Sequence, residues 1–333
     1  MSAISEPMPI TRRKPNLWAQ VRKSGWQYLF LAPWMLLLLL FVVYPQLASY
    51  PYTLLEWNGI GTARWVGLEN FRRVVVNEFF WKAFKHTFIY AGILVPVQLF
   101  FSLILALILN NPSLRFSSFY RAVFFSPVVT STAIIGIIMS FLMNNIGPAI
   151  QPAFRVLGWI GPNENLNLLA DPRFTLYTIT AVGIWKTLGI NMVYFLAALQ
   201  GIPKELYEAA RIDGANPRDE FWHITIPGLR ETGLIIIFLA FLGSLQIFEL
   251  VQVMAGQGPN ALFLESDVVN TYVYRSAFGT NRQIGLASAA ALVMGLITLV
   301  LSLLQIFVFR KAGIRQGGFG MPPTNPNQPK NDL

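Results

Sequence analysis

The chain of 333 residues contains no cysteine and only two histidines, His86 and His223. The first absence excludes a disulfide framework, a Cys-ligated zinc, an iron–sulfur cluster and a thiol nucleophile. Two separated histidines argue against a histidine-rich metal site. Charge is scarce as well: 12% of residues are Asp, Glu, Lys or Arg, about half the share of an average soluble protein. So few charges do not cover a soluble surface. No Gly-x-x-x-x-Gly-Lys-Ser/Thr phosphate loop occurs, so the chain has no nucleotide-hydrolysing loop of that type. Asp and Glu are also too sparse within the apolar runs for an obvious proton or sodium relay.

What is present is hydrophobic: 54% of residues are apolar and 14% aromatic. The formal net charge is +9. A basic excess points to nucleic acid or to a membrane surface, and the apolar runs decide for membrane. A membrane helix needs roughly 20 mostly apolar residues. Six candidates meet this, at about 26–44, 87–109, 122–143, 176–199, 233–254 and 284–309. The first follows a basic lead (Arg12, Arg13, Lys14, Arg22, Lys23). Its apolar stretch exceeds the ~7–15 residues of a signal peptide and ends Val43-Tyr44-Pro45, so a retained anchor is expected. Lys and Arg concentrate in the two tails, near Arg115 and Arg121, and in segment 200–231. By the positive-inside rule this places both termini in the cytoplasm.

The expected organisation is a basic cytoplasmic tail (1–25), a six-helix membrane domain (26–311) and a tail rich in Gly, Pro, Asn and Gln (312–333), which lacks the apolar periodicity needed to order itself. Segment 65–86 is amphipathic and aromatic, through Trp65, Phe79, Phe80, Trp81 and Phe84. It reads as an interfacial helix, with rings at headgroup level.

Segment 202–231 is the most informative. Pro203 suits a first helical position, and Lys204 and Glu208 stand i,i+4 apart, in the weaker orientation. The helix is expected to end near Ile212, where Gly214 permits a turn that other residues resist. Asn216, Pro217 and Asp219 then form a helix start, expected to run to about His223, with Pro227 at the entry to span five. The small Ala209 and Ala210 let another protein approach the backbone, and Glu208, Arg211 and Asp213 offer charges there. An ordinary connecting loop would look similar on these grounds alone.

The spacing says more. Glu208-Ala209-Ala210, three residues, Gly214, nine residues, Ile224, one residue, then Ile226-Pro227 resembles the EAA loop of ATP-binding-cassette (ABC) importer permeases, with Ile226 in place of the usual Leu. Tyr207 through Ala215 resembles the carbohydrate-uptake branch, the maltose and glycerol-3-phosphate type. Trp185, Gly189, Ala197–Pro203, Phe248, the Gly256–Pro259 turn, Tyr274, Ala277, Phe278, Gly285, Ala287 and Ala289 fit the same branch. Gly67-Leu68-Glu69-Asn70-Phe71 resembles the opening of its first permease subunit. The resemblance covers about residues 26–311. Two departures, Gln257 for a usual Gly and Glu231 where many members carry a second Pro, lie outside the core of the motif.

The resemblance implies an all-α membrane protein of the type I importer permease fold, in a bacterial or archaeal inner membrane. It implies a non-catalytic subunit of a binding-protein-dependent sugar importer. Its partners would be a second permease, an ATPase dimer that carries the ATP and Mg, an extracytoplasmic substrate-binding protein, the sugar and lipid, with no nucleic acid and no cofactor in this chain. Glu208, Ala209, Ala210, Asp213 and Gly214 become the ATPase-coupling elbow. Polar residues within spans are costly in lipid and mark solute paths. On spans four and five these are Lys186, Thr187, Asn191, Ser244, Gln246, Glu249 and Gln252, and the resemblance favours a cavity for them. Lys186 and Glu249 would pair, bind sugar hydroxyls, or snorkel to the interface. Gln98 and Gln305 read as helix–helix contacts. Competing readings are a glycerol-3-phosphate or polyol importer, a self-sufficient secondary carrier and a membrane scaffold. The carrier would need inverted repeats and intramembrane ion ligands, which the sequence does not display.

Overall fold

The structure, a computed structural model, describes residues 25–255 and 263–311. The tail expected over 312–333, nearly all of the basic lead, and the Gly256–Pro259 turn lie outside those residues. Among the described residues six helices are long and apolar enough to cross a membrane. The chain divides into two units, Met1–Tyr52 and Thr53–Leu333. In the first, helix α1 (Gly25–Tyr52) contains Pro33, Pro51 and a π-turn at Leu39–Val43. None of its residues is buried. A helix apolar all round needs apolar surroundings, and lipid supplies them.

The second unit opens with a two-residue antiparallel pair, β1 (Leu55–Glu56) and β2 (Arg64–Trp65), followed by α2 (Glu69–Val76) and α3 (Glu78–Leu109). Segment 65–86 is therefore not one interfacial helix. Asn77 interrupts it in an extended conformation, and its side chain accepts from the backbone N–H of Phe79 and Phe80. That cap starts span two at Glu78, nine residues before the apolar run. Phe80, expected at the interface, is fully buried, edge-on to Tyr272.

The third span differs from its sequence reading. The run over 122–143 is continuous in hydropathy but broken in structure. Helix α4 (Ser117–Val129) ends where Thr130 turns extended, and α5 (Thr132–Val156) starts a new helix. Only α5 has the length of a span. The break costs little hydrogen bonding, because the Thr130 hydroxyl donates to the Ser126 carbonyl at 3.0 Å.

Helix α6 (Thr175–Gln200) matches the fourth span within a residue at each end, and α3 and α6 form the principal helix pair. Polar groups lock the pair at depth. Gln98, fully buried, is hydrogen-bonded by the Thr187 hydroxyl, and the Ser102 hydroxyl donates to the Leu188 carbonyl at 2.8 Å. The expectation of a helix–helix contact for Gln98 holds. Gln305 has its Oε1 enclosed without a hydrogen-bond partner among the described residues. Gly189 lets α4 approach α6: a Cβ there would run into the Phe124–Phe125 backbone. Small residues do the same work in membrane bundles generally.

After α7 (Lys204–Ile212) comes α8, one helical stretch over Pro217–Leu245. It comprises an α-turn, a π-turn at Phe221–Thr225 and an α-helix from Ile226. The expected gap between a short elbow helix and a span starting at 233 is absent. Pro227 does not end the stretch: it lies directly after the π-turn, at the first or second position of the α-helix that begins at Ile226. Span five also ends earlier than 254. Gln246, Ile247 and Phe248 break the helix before α9 (Glu249–Ala255). Helices α10 (Phe263–Ser266) and α11 (Val269–Phe278) lead to α12 (Ile284–Lys311), the sixth span.

Among the described residues three larger apolar clusters hold the unit, beside a small fourth of Ile160, Leu166 and Leu168. Tyr90, Leu94, Ile179, Val182, Val251 and Met254 form one. Val74, Phe80, Val269, Tyr272 and Ala289 form the second. Ala106, Met192, Phe195, Leu199, Leu229 and Ile236 form the third, which extends to Ile202 at the entrance of the elbow.

Candidate functional site

The elbow is built as its residue types dictate. Helix α7 runs Lys204–Ile212, ending where the sequence places its end. Gly214 has φ +84°, a left-handed conformation that costs a residue with a Cβ about 1–2 kcal/mol. It reverses the chain between α7 and α8. Asn216 then caps α8: its side chain accepts from the backbone N–H of Arg218 and Asp219, and Asp219 returns a bond to the Asn216 N–H. This reciprocal box satisfies donors that an open helix start leaves orphaned.

None of the nine residues of α7 is buried. Glu208, Ala209, Asp213 and Gly214 are exposed and Ala210 is partly covered. The motif residues thus form an open surface of small and charged groups. Among the described residues Lys204 and Glu208 form no ion pair. The pair that forms is Arg211 with Glu220, Nε to Oε1 at 2.7 Å and Nη2 to Oε2 at 3.3 Å. Hydrogen bonding to Glu220, with its charge, raises the Arg211 pKa above the ordinary guanidinium value. A second tie joins the Tyr207 hydroxyl and the Thr225 hydroxyl at 2.9 Å. The sequence reading missed both ties, which link residues nine and eighteen positions apart. A groove of about 710 Å³ lies beside the elbow, lined by Gly201, Ile202, Leu206, His223, Pro227 and Gly228 among others.

The residues expected along a solute path fall into two groups. Lys186, Thr187 and Asn191 share α6. Asn191 is buried and donates to the Thr187 carbonyl at 3.1 Å, and the Thr187 hydroxyl engages Gln98. Within this chain the Thr187–Gln98 bond closes the α3–α6 seam, while the Asn191 bond stays within α6. Lys186 is half-buried. On the other side, Ser244 is buried and donates to the Phe241 carbonyl of its own helix at 2.6 Å. Gln246 sits exposed at the break after α8, and Glu249 is exposed at the first position of α9. Gln252 is partly covered on α9. Lys186 and Glu249 form no ion pair with each other among the described residues. Near the N-terminal half of α6, a cavity of about 910 Å³ opens against α5, lined by Met143, Phe154, Trp159, Tyr177 and Trp185, with Arg173 at its polar margin.

A further polar cluster escaped the sequence reading. Asp267, 2% exposed, pairs with Arg275 and accepts from the Thr271 hydroxyl at 2.6 Å. His86 Nδ1 lies 3.0 Å from the Asp267 carbonyl oxygen, and the Val269 N–H donates to the Thr87 hydroxyl at 3.0 Å. Burial pushes the Asp267 carboxyl up, against the lowering by Thr271 and Arg275. Nearby, Lys82 and Glu265 pair at 2.7 Å. Asn70, 2% exposed, donates to the carbonyls of Thr53 and Leu55, each at 2.9 Å, which gives the Gly67–Phe71 motif a structural purpose. Among the described residues no group of three or more His, Asp or Glu is placed to hold a metal ion.

Residues 78–313 match the family described as binding-protein-dependent transport system inner membrane component. The lactose transport system permease protein LacF of Rhizobium radiobacter is 32% identical over 288 residues, covering 86% of this chain and 94% of the relative. The arabinooligosaccharides transport system permease protein AraP of Bacillus subtilis (strain 168) is 29% identical, covering 86% of this chain and 92% of the relative. Among solved structures, a chain of a bacterial ABC transporter involved in the import of the acidic polysaccharide alginate superposes with a TM-score of 0.73 at 23% identity. The match covers 89% of this chain and 98% of that one. At that identity the likeness speaks for the fold.

Proposed function

The chain belongs to the family of binding-protein-dependent transport system inner membrane components, and from that premise we propose that it is one of the two permeases of an ATP-driven importer for a di- or oligosaccharide. Relatives named for lactose and arabinooligosaccharides support the cargo class. The subunit forms half of the pathway and hydrolyses nothing itself. An ATPase dimer with ATP and Mg docks on the elbow, a second permease completes the pore, and an extracytoplasmic binding protein delivers the sugar. The Lys and Arg bias supports termini in the cytoplasm, with the elbow on the same side.

One observation carries the reading. The Glu208-Ala209-Ala210…Gly214 surface lies open between spans four and five, and span five starts just beyond it as one helical stretch from Pro217 to Leu245. Two sites are coupled when both bias one two-state element, and this stretch reaches from the ATPase contact into the membrane. Lys186, Thr187, Asn191, Ser244, Gln246 and Glu249 supply polar groups to the pathway on this reading. Gln246 and Glu249 are exposed and Lys186 and Thr187 partly so, whereas Asn191 and Ser244 are buried and act by shaping the helices that carry them.

The test is the ATPase activity of the complex reconstituted with its ATPase, second permease and binding protein. The binding protein is screened against mono-, di- and oligosaccharides, polyols and glycerol phosphates. Stimulation by one loaded ligand, lost on Gly214→Val, is the expected result. Solute movement by this chain alone, without ATP or partners, would overturn it in favour of a secondary carrier.

A further inference from the structure

We propose that Tyr207 and Arg211 are positioning residues that clamp α7 onto α8 across the π-turn, so that elbow and span five move as a single lever. The inference rests on the reading of the elbow as the ATPase contact. It concerns what makes that contact mechanically effective.

A nine-residue helix without buried residues has little to hold it in place, because isolated helices of that length are marginal in water. Its position therefore depends on the Tyr207 ring, which packs against the third apolar cluster, and on specific ties. Tyr207 and Arg211 are i,i+4, so they share one face of α7. The residues they reach are not arbitrary. Glu220 immediately precedes the π-turn Phe221–Thr225, and Thr225 is its last residue. Helical π-turns are the weak points of a helix and recur at functional sites. Here one tie lands at each end of the weak segment, and α7 lies alongside it as a splint.

The two ties differ in kind. Arg211 grips Glu220 through two nitrogens and two oxygens, a fork that fixes orientation as well as distance. Arg211 is 66% exposed and Glu220 13%, so its worth lies in geometry more than in stability, since exposed pairs contribute little. Tyr207 reaches inward to Thr225, which is 5% exposed, and the Thr225 hydroxyl lies 3.3 Å from the Glu220 carbonyl oxygen. Glu220 and Thr225 are thus linked to each other as well as to α7. With the Gly214 turn as the third fixed point, a push on Glu208–Ala210 meets no free joint before the membrane.

The absence of cysteine from the chain makes a direct test practical. Spin labels are placed at Tyr177→Cys on α6 and Leu239→Cys on α8, both exposed. Their separation is measured by pulsed electron paramagnetic resonance in the assembled complex, nucleotide-free and trapped with ATP and vanadate. Trapping is expected to shift the separation in the otherwise native chain. With Arg211→Ala and Thr225→Val together, the ATPase still co-purifies but the shift falls to less than half. Arg211→Glu loses the shift likewise, and adding Glu220→Arg restores it. A full shift in the clampless variant overturns the proposal, and so does a swap that fails to restore it, since the loss then belongs to the single side chains. Tyr207→Phe keeps the ring and removes the tie, so it tests the same point if the double variant does not assemble. A native chain that binds the ATPase yet shows no shift on trapping refutes the underlying coupling reading, an outcome distinguishable from failure of the clamp alone.

Discussion

Two short connectors leave the helical bundle, and they treat their polar groups in opposite ways. In the elbow, α7 buries none of its residues, and the charges of Glu208 and Asp213 face outward. In the connector before span six, α11 buries Val269, Thr271 and Tyr272, and Asp267 is consumed by Arg275 and Thr271. One connector is finished by its own chain. The other presents small and charged residues that the fold itself does not use. A surface left open at such a specific spacing is what a separate protein reads, whereas a buried ion pair sets the register of its own chain.

The contrast breaks most readily at Asp267. Removing one member of a buried pair leaves the other uncompensated, at ~3–5 kcal/mol when both are enclosed. Arg275 keeps 32% of its side chain exposed, so Asp267→Ala is expected to cost about 2–3 kcal/mol. Thermal unfolding of the purified complex in detergent reads this. Gly214→Val comes next, with about 1–2 kcal/mol of left-handed strain. Its main effect is functional: the subunit inserts and is recovered with its partners in normal amount, and uptake is abolished. Asn70→Ala removes the donor shared by the Thr53 and Leu55 carbonyls, and about 1–2 kcal/mol of stability is lost at the β1–β2 hairpin. Hydrogen exchange over residues 53–66 should rise while the elbow is unchanged.

The smallest effect is a pH contrast between two aspartates outside the spans. Arg173 hydrogen-bonds Asp171 and holds its carboxyl below the ordinary 3.8, whereas burial raises that of Asp267 above the same value. For Asp171 the folded state binds the proton less readily than the unfolded chain. Its contribution is present above pH 3.8 and is lost as pH falls through the lowered folded value. For Asp267 the sign reverses: the contribution is full below pH 3.8 and is lost as pH rises through the raised value. Acidification should loosen segment 157–174 while segment 265–278 holds, as hydrogen exchange at matched intrinsic rates would reveal.

The same contrast explains what was legible in the sequence. Local chemistry was. The turn at Gly214, the helix start at Asn216 and the end of α7 follow from residues within a few positions of each other, and the structure has them where the sequence puts them. Six spans follow from hydropathy, but their edges do not. Hydropathy is blind to Thr130, whose extended backbone splits the third run, and to Asn77, which starts span two early. It also misses that span five begins at the elbow, since a helix with polar first turns scores as a loop. The partners in long-range ties were not legible, although Gln98 itself was read as a helix–helix contact. His86 meets Asp267 across 181 positions, and no local pattern announces that. Ser244 illustrates the limit of reading polar residues in spans: its hydroxyl turns back onto Phe241, as small hydroxyls do to satisfy themselves in apolar surroundings.

The most direct measurement is cysteine cross-linking from the two connectors in an otherwise cysteine-free chain. Ala209→Cys on the elbow and Thr280→Cys beyond α11 are both exposed. Each is treated with a short bifunctional reagent in membranes containing the whole transport complex. The account predicts an ATPase adduct from Ala209→Cys and none from Thr280→Cys. An adduct from Thr280→Cys alone, or from neither while the complex is intact and active, would contradict the assignment of the elbow as the coupling surface.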